Sequence, residues 1–297
     1  MVNLIIDTDL GNDCDDAAAI ALACRYVKEE RARLLAITIN TSDPYSPCCA
    51  EAILSYYGVE TEIGVHKGSF PYVDVSFSKA LAEKFGVAKK KEREAAVRLI
   101  RRKLAESKDK SVTLVFIGQL NNANELLKSP ADEYGEDGVS LVERKVKETV
   151  IMGGMFGSRK IVFEGKEYLA EYNIATSVSD SKGAIGTFPC EVVFADFYLG
   201  IDVLTLGGLI GRDEKDPVGY AYDIFSHGDR PSWDILALMY AVEGENGLFV
   251  RSRHGRVRVG DTGTTVMEYD ESGKHRYLLP LVESDVLATA INKKFGL

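Results

Sequence analysis

The chain has 297 residues, 45% of them hydrophobic and 27% charged, with a formal net charge of −9. The length suits one large α/β domain or two small ones, the composition is that of a globular protein, and the negative balance argues against a nucleic-acid backbone as partner. No apolar run is long enough to span a membrane, and Met1-Val2-Asn3 leads into the first apolar run without a signal peptide, so a cytoplasmic location is expected.

Leu4-Ile5-Ile6 reads as a short buried strand. It runs into DTDLGNDCDDAAA at 7–19, which places Asp7, Asp9, Asp13, Asp15 and Asp16 within ten residues. Ala17 onwards is rich in strong helix formers, so the acids sit on a strand-to-helix turn, where ligands bind in open α/β sheets. A helix N-cap needs one acid. Five packed together repel unless a positive charge sits among them, and a hard divalent cation is the economical solution. Ca²⁺ suits the site better than Mg²⁺, because it accepts more protein oxygens in looser geometry.

Strand and helix patterns then alternate. Strands are expected at 34–40, 62–65, 112–117, 148–152 and 191–195. Helices are expected at 47–57, 78–85, 92–107, 121–127, 177–185, 220–225, 232–242 and 281–295. Residues 161–169 read as a hairpin, and 256–279 as two or three strands with a turn at Glu271-Ser272-Gly273. The run Lys89-Lys90-Lys91, with Glu92, Arg93 and Glu94, reads as a solvated face. The five cysteines, at 14, 24, 48, 49 and 190, lack zinc-site spacing and are expected as free thiols. The alternation predicts a single domain over 1–297, with a mostly parallel open sheet flanked by helices, Rossmann-like, and a small β-rich C-terminal part. Several strands end in polar or glycine-rich turns, at Asp7–Asp16, Asn40, Gly118–Asn122 and Met152-Gly153-Gly154. In a parallel sheet these ends share one edge, which is the expected site. Neither GxGxxG after the first strand nor GxxxxGK[ST] occurs, which disfavours dinucleotide and P-loop readings.

DTDLGNDCDDA resembles the N-terminal fingerprint of the nucleoside hydrolases, the inosine–uridine-preferring N-ribohydrolases. Asn40, GQLNNANEL at 118–126, VIMGG at 150–154 with EYNIA at 171–175, and RPSWDILAL at 230–238 match the family's other segments in order. The resemblance implies hydrolysis of the N-glycosidic bond of a small-molecule nucleoside, with one Ca²⁺ held by Asp9, Asp16, Asp234 and the backbone carbonyl of Asn121. Asp7 supports that site from behind. The same resemblance implies that Asp9 takes the proton from water, that Asp15, Asn40, Glu171, Asn173 and Asp234 grip the ribose, that Met152 lines the sugar pocket, and that the protein is a homodimer or homotetramer.

The sequence departs from the family pattern in the acidic loop, which is two residues longer and leaves the role of Asp13 open, as a replacement ligand or otherwise. It also departs at Trp233, which stands where many members carry the histidine associated with protonating the leaving base. Tryptophan cannot donate a proton in that way; it stacks on base or sugar, or packs at a helix start. His227, six residues before Trp233, is the candidate replacement acid, against an ordinary surface role, and Tyr172, Tyr222 and Tyr240 are further candidates. Two other functions compete. DTD after an apolar strand is similar to the haloacid-dehalogenase-like phosphohydrolases, but their later lysine and acidic pair are not evident. A non-catalytic sugar or nucleoside binder on the same fold is the other alternative.

Overall fold

The computed structural model describes residues 1–70, 76–87 and 91–297. In chain order the elements are β1 (Val2–Thr8), α1 (Cys14–Lys28), β2 (Ala32–Ile39), α2 (Ser46–Tyr57), β3 (Glu62–Val65), α3 (Ser78–Lys84), α4 (Ala96–Glu106), β4 (Val112–Phe116), α5 (Asn121–Lys128), α6 (Gly138–Lys145) and β5 (Val146–Met152). There follow β6 (Ile161–Phe163), β7 (Lys166–Tyr168), α7 (Tyr172–Ala175), α8 (Val178–Thr187), β8 (Glu191–Ala195), α9 (Phe197–Gly200), β9 (Leu204–Thr205), α10 (Pro217–Phe225), β10 (Arg230–Pro231) and α11 (Trp233–Glu243). The chain closes with β11 (Phe249–Arg251), β12 (Gly255–Val259), β13 (Thr265–Tyr269), β14 (His275–Pro280) and α12 (Ser284–Lys294).

Among the described residues, ten strands form one sheet in the order β13-β12-β14-β8-β5-β4-β1-β2-β3, with β11 paired to β14. From β14 to β3 every neighbouring pair is parallel, and β12 and β13 extend the edge antiparallel. The β-rich C-terminal stretch is therefore a continuation of the main sheet.

The apolar run at the start of β1 is continuous because the strand is covered on both faces. Leu4 and Ile6 face the core that includes α1, α2 and α11, while Ile5 faces the core that includes α4, α5, α6 and α8. In α1, Ala17, Ala18, Ala19, Ala21 and Ala23 are all buried. Their small side chains let this helix pack closely against α2, α10 and α11. The chain reverses direction about β1, which sits between β4 and β2. That reversal opens a crevice at the carboxyl ends of β1 and β4.

Most expected elements are present with ends shifted by a few residues. Helix α1 begins at Cys14, three residues before the alanine run, because the Asp13 carboxylate caps it by accepting from the Cys14 N–H at 2.7 Å. Asp15 and Asp16 thus belong to the first helical turn. Of the basic run, Lys89 and Lys90 lie outside the described residues, and Lys91 is exposed and pairs with Glu51 at 2.9 Å. All five cysteines are buried free thiols. Among the described residues no helix is long and apolar enough to cross a membrane.

The C-terminal extension carries a pH sensor of stability. The Nδ1 atom of His275 in β14 accepts from the Val257 N–H at 2.9 Å, so this nitrogen is unprotonated in the fold. Burial, with help from Arg256, holds the imidazole down at about pKa 4, against 6.5 when free. A depressed histidine contributes stability above pH 6.5 that is lost as pH falls towards 4. The loss amounts to about 3 kcal/mol at 1.36 kcal/mol per unit. His275→Asn keeps an acceptor without the titration. Urea midpoints measured at pH 7 and pH 4.5 are expected to fall further in the parent protein than in the variant, and equal falls refute the assignment.

Candidate active site

Asp7, at the end of β1, lies beneath the crevice and ties its strands together. Its carboxylate accepts from the Thr38 hydroxyl at 2.5 Å, from Asn40 Nδ2 at 3.0 Å and from Asn122 Nδ2 at 2.7 Å. Burial dominates these donors and lifts its pKa to about 7. Asn40 also donates to the Gln119 carbonyl at 2.9 Å, and the Asn121 amide donates to the Asn40 carbonyl at 2.8 Å. Asn40 and Asn121 thus form the buried bracing under the site. Gly118 is required here, because a Cβ at that position would lie 2.7 Å from the Asp9 nitrogen and 2.8 Å from Asp9 Oδ1.

Above this floor is a cavity of about 330 Å3 lined by acids and aromatic rings. Asp9 lines it, with Oδ2 held by Asn12 at 2.8 Å and Gln119 at 3.0 Å, and burial raises its pKa to about 6. Asp15 and Asp16 project from the first turn of α1 and Asp234 from the first turn of α11. Carboxylate oxygens of these three lie within 4.8 Å of one another, and all three residues are buried.

Local hydrogen bonds explain the convergence. Helix α11 has no cap from its own Ser232 side chain; instead Asp15 Oδ2 accepts from the Trp233 N–H at 3.0 Å and the Asp234 N–H at 3.1 Å. Asp16 accepts a hydroxyl hydrogen bond from Thr8. Two helix N-termini therefore face the cluster, which favours negative charge there. Burial first, and the neighbouring acids second, still push all three pKa values well above the ordinary carboxylate range. Two carboxylates about 4 Å apart repel by roughly 4 kcal/mol at an effective dielectric of 20. Neither Asp16 nor Asp234 forms an ion pair among the described residues. An all-oxygen, buried, unneutralised donor set fits a hard divalent metal ion.

The structure places the remaining expected residues as follows. Met152, Glu171, Asn173, Trp233 and Asp234 line the cavity with Asp9, Asp13, Asp15 and Asp16; Asn40 and Asn121 lie under it. Glu171 caps α7, accepting from the N–H groups of Asn173 at 2.6 Å, Ile174 at 3.1 Å and Gly154 at 3.2 Å, and burial lifts its pKa to about 7. Asp13 is outside the three-carboxylate cluster; besides capping α1 it pairs with Arg230 Nη2 at 2.6 Å. His227 is not brought to the cavity. It is exposed on the turn after α10, at φ 56°, with its backbone N–H tied to the Tyr222 carbonyl at 2.9 Å. Tyr172 lines the cavity, whereas Tyr222 is fully buried and Tyr240 lies by Glu148 at 3.5 Å.

Sequence reasoning missed most of the aromatic wall. The hairpin β6–β7 carries Phe163, Glu164, Lys166 and Tyr168 to the cavity, and Phe197, Phe225 and Arg230 complete it. Tyr168 stacks on Phe197 at 5.3 Å and 21°, and Phe197 on Trp233 at 5.3 Å and 28°. The Trp233 indole N–H donates to the Phe197 carbonyl at 3.0 Å. The expected hairpin was the available signal, but nothing local shows that it folds over a site built from β1 and α11.

A buried acidic centre able to hold a metal ion, together with aromatic rings at the switch point of a parallel sheet, defines a small-molecule site of the α/β class. The family model described as inosine-uridine preferring nucleoside hydrolase matches residues 4–286, and the chain belongs to that family. Among solved structures it is similar to the inosine-uridine preferring nucleoside hydrolase from Bacillus anthracis, at 18% identity and TM-score 0.71, covering 99% of this chain and 100% of that one. It is also similar to an inosine-guanosine nucleoside hydrolase, at 18% identity and TM-score 0.69, covering 99% and 98%. A third is the type III effector protein XopQ complexed with adenosine diphosphate ribose, at 14% identity and TM-score 0.68, covering 99% and 93%. These likenesses show a shared fold. No curated protein sequence matches the chain.

The cluster makes a measurable prediction. Asp16→Asn removes one of three repelling charges while keeping an acceptor for Thr8. Without added metal the variant is expected to melt higher than the parent. The parent is expected to gain about 2.7 kcal/mol from a divalent cation at roughly a hundred times its Kd, and the variant to gain little. Thermal melts with excess chelator and with added CaCl2 read both effects; an undiminished metal-induced rise in the variant removes Asp16 from the centre.

Proposed function

We propose that the protein hydrolyses the N-glycosidic bond of ribonucleosides to ribose and free base, with Ca²⁺ as its metal ion. Membership of the nucleoside hydrolase family supports N-glycosidic hydrolysis. The observation that carries the finer reading is the convergence of Asp15, Asp16 and Asp234 in one cavity with Asp9 and the aromatic rings.

The bond between C1′ and a base nitrogen breaks through an oxocarbenium-like transition state, as in other glycoside cleavages. A divalent cation, held by Asp15, Asp16 and Asp234, would supply Lewis acidity and a fixed positive charge. Asp9 accepts the proton of the attacking water. It lines the cavity beside the cluster, and the two amides on its Oδ2 fix its plane. Glu171 and Asn173 hold the ribose from the opposite side, with Met152 against the sugar face. The positive charge that develops on the ribose is stabilised by the field of the buried acids, which are already in place before reaction. The stacked rings of Tyr168, Phe197 and Trp233 keep the base end of the cavity dry.

One observation favours a second reading, a non-catalytic binder of a ribosyl ligand. Among the described residues no histidine lines the cavity, and XopQ, on this fold, has been solved with adenosine diphosphate ribose.

Ribose release from inosine, guanosine, adenosine, uridine and cytidine, with CaCl2 and after exhaustive chelation, separates the readings. Calcium-dependent release is expected, and Asp9→Ala is expected to lower kcat/KM by about a hundredfold or more. Tight calcium binding without release of ribose from any nucleoside favours the binder.

A further inference from the structure

Arg230 is the half-buried cation of the cavity. Its side chain is 13% exposed, and it lines the wall beside the rings. Nε donates to Asp13 Oδ1 at 3.0 Å, Nη2 to Asp13 Oδ2 at 2.6 Å and Nη1 to Glu164 Oε1 at 2.5 Å. Asp13 comes from the acidic loop and Glu164 from the hairpin turn, so the guanidinium is fixed from two sides. It lies over Phe163, Phe225 and Trp233, with centroid distances of 5.1, 5.3 and 5.8 Å. Of the five N–H groups of a guanidinium, the bonds to described residues use one on each nitrogen, and among the described residues one on Nη1 and one on Nη2 remain to donate. The other cation at the cavity, Lys166, is exposed.

The cavity therefore holds, besides its carboxylates, a guanidinium fixed in place by Asp13 and Glu164. Heterolysis of the scissile bond leaves positive charge on the sugar and negative charge on the base, and the base is the end that a hydrogen-bond donor stabilises. The Trp233 indole is already covered by the stack from Phe197 and the edge of Phe163, and its N–H is spent on a carbonyl. A base in this part of the cavity meets the guanidinium packed on those rings.

We propose that Arg230 is the leaving-group residue of this site, donating hydrogen bonds to the base as the C1′–N bond breaks. The inference rests on the hydrolase reading above. The electron pair of the broken bond goes to the base, and Arg230 keeps all its protons, acting by charge and hydrogen bonding and not as an acid. Water forms the new C1′–O bond and gives one proton to Asp9, and the base takes its proton from solvent. Nucleoside and water thus yield ribose and base. Preorganised donors of this kind account for about 10²–10³ in rate.

The test compares inosine, whose base leaves poorly, with 4-nitrophenyl β-D-ribofuranoside, whose phenolate leaves unaided. Arg230→Gln is expected to lower kcat/KM for inosine by about a hundredfold or more and for the nitrophenyl riboside by less than about threefold. Arg230→Lys, which keeps the charge should the glutamine variant fold poorly, is expected to lie between parent and glutamine variant on inosine and near the parent on the aryl riboside. Parallel losses on both substrates in the Arg230 variants make Arg230 a strut for the hairpin and overturn the proposal. A parent protein that cleaves neither substrate overturns the hydrolase reading itself, and this inference with it.

Discussion

Asp15, Asp16 and Asp234 are held with carboxylate oxygens within 4.8 Å of one another, and burial and mutual repulsion both oppose their ionisation. The surrounding structure exists to hold them together. Asp15 and Asp16 ride on the first turn of α1 and Asp234 on the first turn of α11. The Asp15 carboxylate caps α11 from outside by accepting two of its backbone N–H groups. Helix capping, ordinarily a local stabiliser of about 1 kcal/mol, here fastens together two elements separated by more than two hundred residues.

That fastening needs α1 to lie close to its neighbours. The run of buried alanines supplies the closeness, at the cost of little apolar area per residue. The larger side chains around it, such as Ile20, Leu22 and Tyr26 on α1 and Leu236, Leu238 and Met239 on α11, restore the packing. Strand β1 fixes the other end. It is hydrogen-bonded to β2 and β4 along both edges, so the turn that follows has a rigid base. The Asp7 network joins the ends of these strands to α5.

Local patterns made the architecture legible. Strands buried on both faces read as unbroken apolar runs, and their polar ends marked the site edge. The acidic stretch announced a charge problem that a cation solves. Other features are set by partners far along the chain. The role of Asp13 in the longer loop stays open, as a replacement metal ligand or otherwise, until Arg230, 217 residues away, is seen paired with it. His227 reads as a loop residue able to reach inward, yet the left-handed turn after α10 leaves it exposed. Helices α7 and α9 escaped because they are four residues long and start from caps that are themselves buried acids, Glu171 and Asp196. The aromatic wall was invisible for a similar reason: Phe163, Tyr168, Phe197 and Trp233 come from separate segments and share no spacing.

One chain segment serves the acids, the rings and the cation of the cavity. Residues 230–234 begin with the guanidinium that pairs with Asp13 and Glu164, pass through the indole of the aromatic wall, and end with the third carboxylate of the acidic cluster. The backbone between them is pinned by β10 pairing with β9 and by the Asp15 cap. The pinned backbone fixes where the two side chains start, and Asp13 and Glu164 hold the guanidinium itself. These charges are therefore in place before any ligand enters, and a preorganised field of this kind costs no reorganisation when charge separates across a breaking bond.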